Sequence, residues 1–156
     1  MAETRGLTPD VIAFGAVISA CEKVRDWERA LALLGEMGVR KVERNVVTFS
    51  SAISACEKQG QWAAALQIFE VMKACKLRLS EIVYSAVISA CQKGDCWQHA
   101  LFLLAEMKLT TIQPDFITYS AALAACWQGH QGSKAVRLFQ DMQSDAAEPN
   151  AVSYNA

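Results

Sequence analysis

Six cysteines and two histidines are the residues of this 156-residue chain that could form a disulfide, a metal site or a catalytic nucleophile. Four of the cysteines recur every 35 residues: Cys21, Cys56, Cys91 and Cys126. The sequence has no CxxC pair, and His99 and His130 are too few to complete a metal site. Equivalent positions in stacked helical layers lie about 8–10 Å apart, whereas a disulfide needs Cα atoms within about 7 Å. We therefore expect four buried, reduced, structural thiols, with Cys75 and Cys96 outside this column.

The same interval recurs at other positions, so the chain is built from copies of one unit. Aromatic residues recur at Phe14, Phe49, Tyr84, Tyr119 and Tyr154, alanines at Ala30, Ala65, Ala100 and Ala135, and methionines at Met37, Met72, Met107 and Met142. A fixed period of this size is typical of a solenoid. We expect residues 1–10 to form a lead and the end of a preceding repeat. Four repeats then span 11–45, 46–80, 81–115 and 116–150, and 151–156 begin a truncated fifth. With these boundaries we expect the chain to be a segment of a longer array.

Each repeat is predicted to form two helices. Phe49, Ala52, Ile53 and Cys56 follow the i, i+3, i+4, i+7 spacing of one buried helix face. A second helix begins at the tryptophan, and breaks between the two helices are expected near Arg25, Gly60, Gly94 and Gly132. Helices this short are marginal alone and need stacking for stability. The prediction is an all-α, right-handed α-solenoid of nine or so helices, without strands.

The charge of the chain excludes a general attraction to polyanions. The formal net charge is −1, but residues 11–80 carry ten basic and seven acidic side chains, whereas 81–150 carry four and seven. A polyanion would therefore favour the first half. No apolar run approaches the roughly 20 residues of a membrane-spanning helix, so we expect no membrane insertion.

Residues 46–80, VVTFSSAISACEKQGQWAAALQIFEVMKACKLRLS, resemble the pentatricopeptide repeat, and the similarity extends over residues 11–150. Its marks are an aromatic followed by a small polar residue, as in Phe49-Ser50, and Lys or Gln before the turn. Ala-Leu early in the second helix, Met near its end and a closing Pro-Asp, as in Pro114-Asp115, complete the set. The related tetratricopeptide repeat has 34 residues and its tryptophan in the first helix, unlike this chain.

The resemblance implies a single-stranded RNA-binding module that reads one base per repeat. The fifth and last residues of each repeat would contact the base, which gives the pairs Gly15/Asn45, Ser50/Ser80, Ser85/Asp115 and Ser120/Asn150, with Asn155 opening the fifth repeat. By the same resemblance, Ser85/Asp115 would favour guanine and Ser120/Asn150 adenine. Gly15 has no side chain to hydrogen-bond, and Ser50/Ser80 has no assignable preference.

Two further columns have implied roles and simpler alternatives. The second residues of the repeats, Ile12, Val47, Ile82 and Ile117, would sandwich a base between layers, or would close the packing between layers. Lys23, Lys58 and Lys93 end the first helices, where similar arrays place a lysine near the phosphates. A lysine there also complements the helix dipole without a ligand. Gln128 leaves the fourth repeat neutral at this position.

The preferred function is RNA binding in organelle RNA metabolism, in a mitochondrion or plastid, as the resemblance implies. The alternative is a protein-binding scaffold in a larger assembly, because solenoids commonly bind proteins and the net charge is near zero. We expect no enzyme and no cofactor, since no side-chain cluster forms a catalytic set. The deaminase that some similar proteins carry would need His-x-Glu and CxxC, which the sequence lacks.

Overall fold

The computed structural model describes residues 9–146, and within that range the chain forms eight α-helices and no strand. The helices are α1 (Pro9–Val24), α2 (Trp27–Val39), α3 (Val46–Lys58), α4 (Trp62–Ala74), α5 (Glu81–Lys93), α6 (Trp97–Leu109), α7 (Phe116–Gln128) and α8 (Gly132–Ala146). The all-α solenoid of helical pairs is confirmed. The predicted ninth helix would fall on residues 151–156, outside the described residues.

The helices form hairpins that stack in chain order. Each odd-numbered helix packs against the even-numbered helix that follows it, and the odd-numbered helices pack extensively on one another. No pair of even-numbered helices shares a comparable contact in the described range. Closer packing along one set of helices curves the stack towards that set. We call the surface formed by α1, α3, α5 and α7 the inner surface.

Polar caps and left-handed turn residues set the helix boundaries. Asp26, Asn45, Ser80 and Asp115 cap α2, α3, α5 and α7, each accepting a hydrogen bond from a backbone N–H of the first turn. Within each hairpin the chain turns at a residue with positive φ: Arg25, Gly60, Asp95 or His130. Three breaks lie where the sequence predicted them. The fourth spans residues 129–131, so that Gly132 begins α8 instead of lying in the break.

The start of α1 also differs from the repeat period, which predicts a start at Val11. The helix already includes Pro9 and Asp10, the first two residues that the structure describes.

The recurring residues form the core between the layers. Phe14, Phe49, Tyr84 and Tyr119 are buried, as are Ala30, Ala65 and Ala100 and the methionines Met37, Met72 and Met107. The four column cysteines are buried and free, as predicted. Burial raises the pKa of the Cys56 thiol to about 11 and that of Cys91 to about 12, which keeps both protonated at neutral pH.

The two remaining cysteines differ from each other. Cys75 is exposed. Cys96 is buried at the start of α6, and its Sγ lies 3.0 Å from His99 Nδ1. Cys96 therefore belongs to the packed interior although it lies outside the periodic column.

Trp62 and Trp97 lie at interfaces between repeats, where each packs against a glycine in the turn of the following hairpin. A Cβ atom at Gly94 would lie 2.2 Å from Trp62 Cδ1 and 2.8 Å from the carbonyl oxygen of Gly60. At Gly129 it would lie 2.1 Å from Trp97 Cδ1. These approaches leave no room for a side chain.

Alanine at Gly94 or Gly129 is therefore expected to lower the free energy of unfolding by about 1–3 kcal/mol, because the tryptophan must move. The matched control is Gly35→Ala, since a Cβ there meets no atom within 4 Å. That change should raise stability by up to about 1 kcal/mol through helix propensity. Urea unfolding followed by circular dichroism measures all three variants. Equal effects at the three positions would contradict the packing described here.

Candidate nucleic-acid interface

The predicted base-sandwiching residues lie exposed on the inner helices. Ile12 is 54% exposed, Val47 65%, Ile82 76% and Ile117 66%. Side chains with this exposure do not close the packing between layers, which was the simpler interpretation of the column. They form instead a row of aliphatic surfaces, one at the start of each inner helix, that is available to a planar ligand.

Three of the predicted base-reading residues also cap the inner helices. Asn45 Oδ1 accepts a hydrogen bond from Thr48 N at 2.9 Å, and Thr48 Oγ1 accepts one from Asn45 N at 3.1 Å. Asp115 Oδ1 accepts from Thr118 N and Thr118 Oγ1, both at 2.8 Å. Ser80 Oγ accepts from Val83 N at 3.4 Å. Capping therefore fixes each of these side chains beside the first turn of an inner helix.

In the predicted pairs, the partners of these three caps are Gly15, Ser50 and Ser85, and each is half-buried on the inner helix that precedes the capped one. Ser120, on α7, is half-buried as well. Asn150 and Asn155 lie outside the described residues. The structure therefore locates both members of the first three pairs and only Ser120 of the fourth.

A cleft of about 320 Å³ brings the predicted residues of the third repeat together. Ile82, Ser85, Asp115 and Ile117 line it, and three further polar residues, Glu57, Glu81 and Ser89, complete its wall together with Ala86. Ile82 and Ile117 come from successive repeats, while Ser85 and Asp115 form the predicted pair. The cleft thus combines aliphatic surfaces with hydrogen-bonding groups between two layers.

Two carboxyl groups in this cleft, those of Glu57 and Glu81, were not predicted as site residues, and the second contacts Asp115. Glu81, the first residue of α5, shares a hydrogen bond with Asp115, and this bond is the main reason why the pKa of Glu81 is raised. Burial acts to raise the pKa of Asp115, but hydrogen bonds from Glu81 and Thr118 outweigh it and the pKa is lowered. Asp115 is therefore the carboxyl group of the pair that ionises first as pH rises. The sequence could have indicated this contact, because Glu81 and Asp115 are the first and last residues of one repeat and such residues meet when repeats stack.

The predicted phosphate-binding lysines lie on the inner helices, but two of them are already paired. Lys58 Nζ lies 3.1 Å from Glu22 Oε1, and Lys93 Nζ lies 2.5 Å from Glu57 Oε1. Lys23 has no ion pair within residues 9–146. The sequence period located the lysines correctly but gave no sign of their acidic partners.

The described residues hold no group of three or more His, Cys, Asp or Glu side chains placed to bind a metal. None of the helices in this range is long and apolar enough to cross a membrane.

The Glu81–Asp115 contact predicts a pH-dependent effect that one substitution removes. The raised pKa of folded Glu81 gives a contribution to stability that is lost as pH rises through that pKa. The lowered pKa of folded Asp115 gives one that is lost as pH falls through that pKa, so the contact stabilises the fold most between the two values. In Asp115→Asn the neighbouring charge is gone, so the pKa of Glu81 should fall back towards its ordinary value. NMR titration of the side-chain carboxyl carbon measures it. Asp95→Asn, in the turn before α6, is the control, and an unchanged Glu81 titration in Asp115→Asn would contradict the contact.

Comparison with known proteins identifies similar repeats. The family model of the pentacotripeptide-repeat region of PRORP matches residues 3–156. A comparison with curated protein sequences finds no match.

Three solved structures share the fold. The pentatricopeptide repeat protein PPR10 in complex with an 18-nt psaJ RNA element matches with a TM-score of 0.74 and 23% identity, over 94% of this chain and 22% of the PPR10 chain. The PPR domain of Arabidopsis thaliana protein-only RNase P 1 (PRORP1), in complex with tRNA, matches with a TM-score of 0.76 and 20% identity. This match covers 86% of this chain and 71% of the PRORP1 chain. Nuclear proteinaceous RNase P 2 (PRORP2) from A. thaliana matches with a TM-score of 0.75 and 18% identity, and the match covers 86% of this chain and 31% of the PRORP2 chain. The chain thus spans about a fifth of PPR10.

Proposed function

The chain belongs to the pentatricopeptide repeat family, and on this premise we propose that it binds single-stranded RNA along its inner surface, one base per repeat. The observation that carries the proposal is the cleft of the third repeat, where Ile82, Ser85, Asp115 and Ile117 meet. A base inserted there would have aliphatic side chains on both faces and polar groups at its edge. The similar structures of PPR10 and PRORP1 are complexes with RNA, which supports the same class of ligand.

The chemistry of the third repeat favours guanine. An ionised carboxylate only accepts hydrogen bonds, and the Watson–Crick edge of guanine offers two adjacent donors, N1–H and N2–H₂. The ionised state of Asp115 is favoured by its hydrogen bonds from Glu81 and Thr118. Adenine presents one donor and one acceptor on the same edge, which suits an amide better. We therefore propose guanine for Ser85/Asp115 and adenine for Ser120/Asn150, and no preference for the first two repeats.

A base swap at the third repeat tests this assignment. Uridine-rich single-stranded RNAs carrying one guanine or one adenine are titrated against the wild type and Asp115→Asn. Wild type should prefer guanine and the variant adenine, with a change of about 1–3 kcal/mol in discrimination. Because asparagine caps helices as well as aspartate, the fold should survive the change. Binding should be micromolar or weaker, since a dissociation constant of 1 µM already needs about −8.2 kcal/mol.

Asp95→Asn is the matched control, because it makes the same chemical change in the exposed turn between α5 and α6. It should leave the base preference unaltered. If the wild type binds none of these RNAs at low salt, the proposal of RNA binding is wrong. If binding occurs but the preference does not move in Asp115→Asn, the pair assignment is wrong.

A protein-binding scaffold is the second candidate function. Large apolar side chains are exposed on the second helices and at their ends, among them Val39, Phe102 and Leu109. Such residues suit contacts with protein rather than with bases. We propose that this chain binds its ligand without catalysing a reaction, although the similar PRORP chains belong to RNase P proteins.

We also propose an organelle, a mitochondrion or plastid, as the compartment. The family resemblance carries this proposal, and the six free thiols fit a reducing compartment. The similar PRORP2 is described as nuclear, so the nucleus is the alternative. Fluorescence imaging of the tagged full-length protein distinguishes the two, and a purely nuclear signal would contradict the organelle.

A further inference from the structure

A ladder of side-chain pairs crosses every interface between successive inner helices. It joins Glu22 to Lys58 at 3.1 Å, Glu57 to Lys93 at 2.5 Å and Gln92 to Gln128 at 3.2 Å. The two members of each rung are 36 residues apart, so the rungs are equivalent in successive repeats. The first two rungs are ion pairs, and the third is a neutral amide pair. We call this set the inner ladder.

Each of the two glutamates of the inner ladder accepts a hydrogen bond from a serine in addition to its ion pair with a lysine. Ser54 Oγ donates to Glu22 Oε1 at 3.0 Å, and Ser89 Oγ donates to Glu57 Oε1 at 2.9 Å. Serine and lysine lie four residues apart on the same helix, so both reach one carboxylate oxygen. The glutamate side chains are only 26% and 19% exposed. A carboxylate fixed in this way competes better for the lysine than a mobile surface carboxylate would.

Each carboxylate pairs with a lysine that the family resemblance assigns to an RNA phosphate. A lysine ammonium that already donates to a carboxylate gains less from a phosphate, and the carboxylate repels the incoming anion. Glu57 adds to this because it also lines the cleft of the third repeat. Lys23 is the exception, since the described residues contain no acidic partner for it.

We propose that Glu22 and Glu57 are internal competitors of RNA phosphate, which restrain the affinity of the inner surface for single-stranded RNA. The inference rests on the proposed RNA binding and adds its regulation by contacts within the protein. While the carboxylates hold Lys58 and Lys93, the strand is bound through its bases with little contribution from its phosphates at these repeats. Selectivity for base sequence is thereby kept at the expense of overall affinity.

The first test measures how binding of oligouridine single-stranded RNA depends on salt. Each lysine that contacts a phosphate contributes about −0.7 to the slope of log affinity against log salt. With Lys58 and Lys93 paired, the wild type should show a slope near −0.7, from Lys23 alone, instead of about −2 for three contacts. The double variant Glu22→Gln/Glu57→Gln should show the steeper slope. It should also bind about two- to fivefold more tightly per released lysine at low salt.

Glu70→Gln is the matched control. Glu70 also pairs with a lysine, Lys73 at 3.1 Å, but on the second helix α4, away from the inner surface. This variant has the same change in charge as each single glutamine substitution and should leave both slope and affinity unchanged. A similar gain in Glu70→Gln would mean that net charge, and not the inner ladder, controls binding.

A second pair of variants tests the idea without removing any existing ion pair. Gln128→Lys places a lysine opposite the neutral Gln92 and should steepen the slope by about 0.7. Adding Gln92→Glu in the same chain restores a complete rung and should return the slope to that of the wild type. If Gln128→Lys and Gln128→Lys/Gln92→Glu show the same salt slope, Glu22 and Glu57 do not act as competitors.

The outcomes separate the two proposals. If wild type and all variants bind no RNA, the proposed function fails and the competitor role fails with it. If the wild type binds RNA but Glu22→Gln/Glu57→Gln has the same slope and affinity, only the competitor role fails. Binding by the double variant together with weak binding by the wild type supports both.

Discussion

The packing of each helical hairpin on the next is the interaction on which the rest of the structure depends. Most of the helices have 13 residues, a length at which an isolated helix is marginal in water. Phe49, Phe69 and Met72 become fully buried only because neighbouring hairpins cover them. Stacking also brings residues with the same phase into columns along the solenoid. A functional group that recurs every 35 residues is therefore presented at regular intervals along one surface.

The inner surface uses the same side chains for folding and for its candidate recognition role. Asn45, Ser80 and Asp115 each satisfy a backbone N–H at the start of an inner helix, which a buried helix end requires. That bond fixes the side chain before any ligand arrives, so little conformational freedom is left to lose on binding. Because asparagine, serine and aspartate all serve as caps, the hydrogen-bonding groups at these candidate base-contacting positions can vary between repeats while the fold is maintained.

The sequence predicted what depends on the period and missed what depends on contacts across layers. Recurrence of Phe, Ala, Cys and Met positions was sufficient to predict the hairpins, the core and the buried thiols. It was not sufficient to predict that Glu22 reaches Lys58 or that Glu57 reaches Lys93. Those contacts depend on how far each repeat is rotated against the next, which no spacing within one repeat records. Gly132 was misplaced for a local reason, since the turn before it already contains Gly129 and the left-handed His130.

The charge of the inner surface differs from the charge balance of the sequence, because many basic residues lie on the second helices. The basic excess of residues 11–80 suggested that a polyanion would favour the first half of the chain, yet Arg29 and Lys73 lie on the second helices in ion pairs of their own. The inner helices carry three lysines and four acidic residues, Asp10, Glu22, Glu57 and Glu81. Their surface therefore has no net positive field, so attraction to phosphate would not dominate the proposed RNA binding. Contacts to the faces and edges of bases would then supply most of the affinity, and such contacts depend on base sequence, whereas phosphate contacts do not.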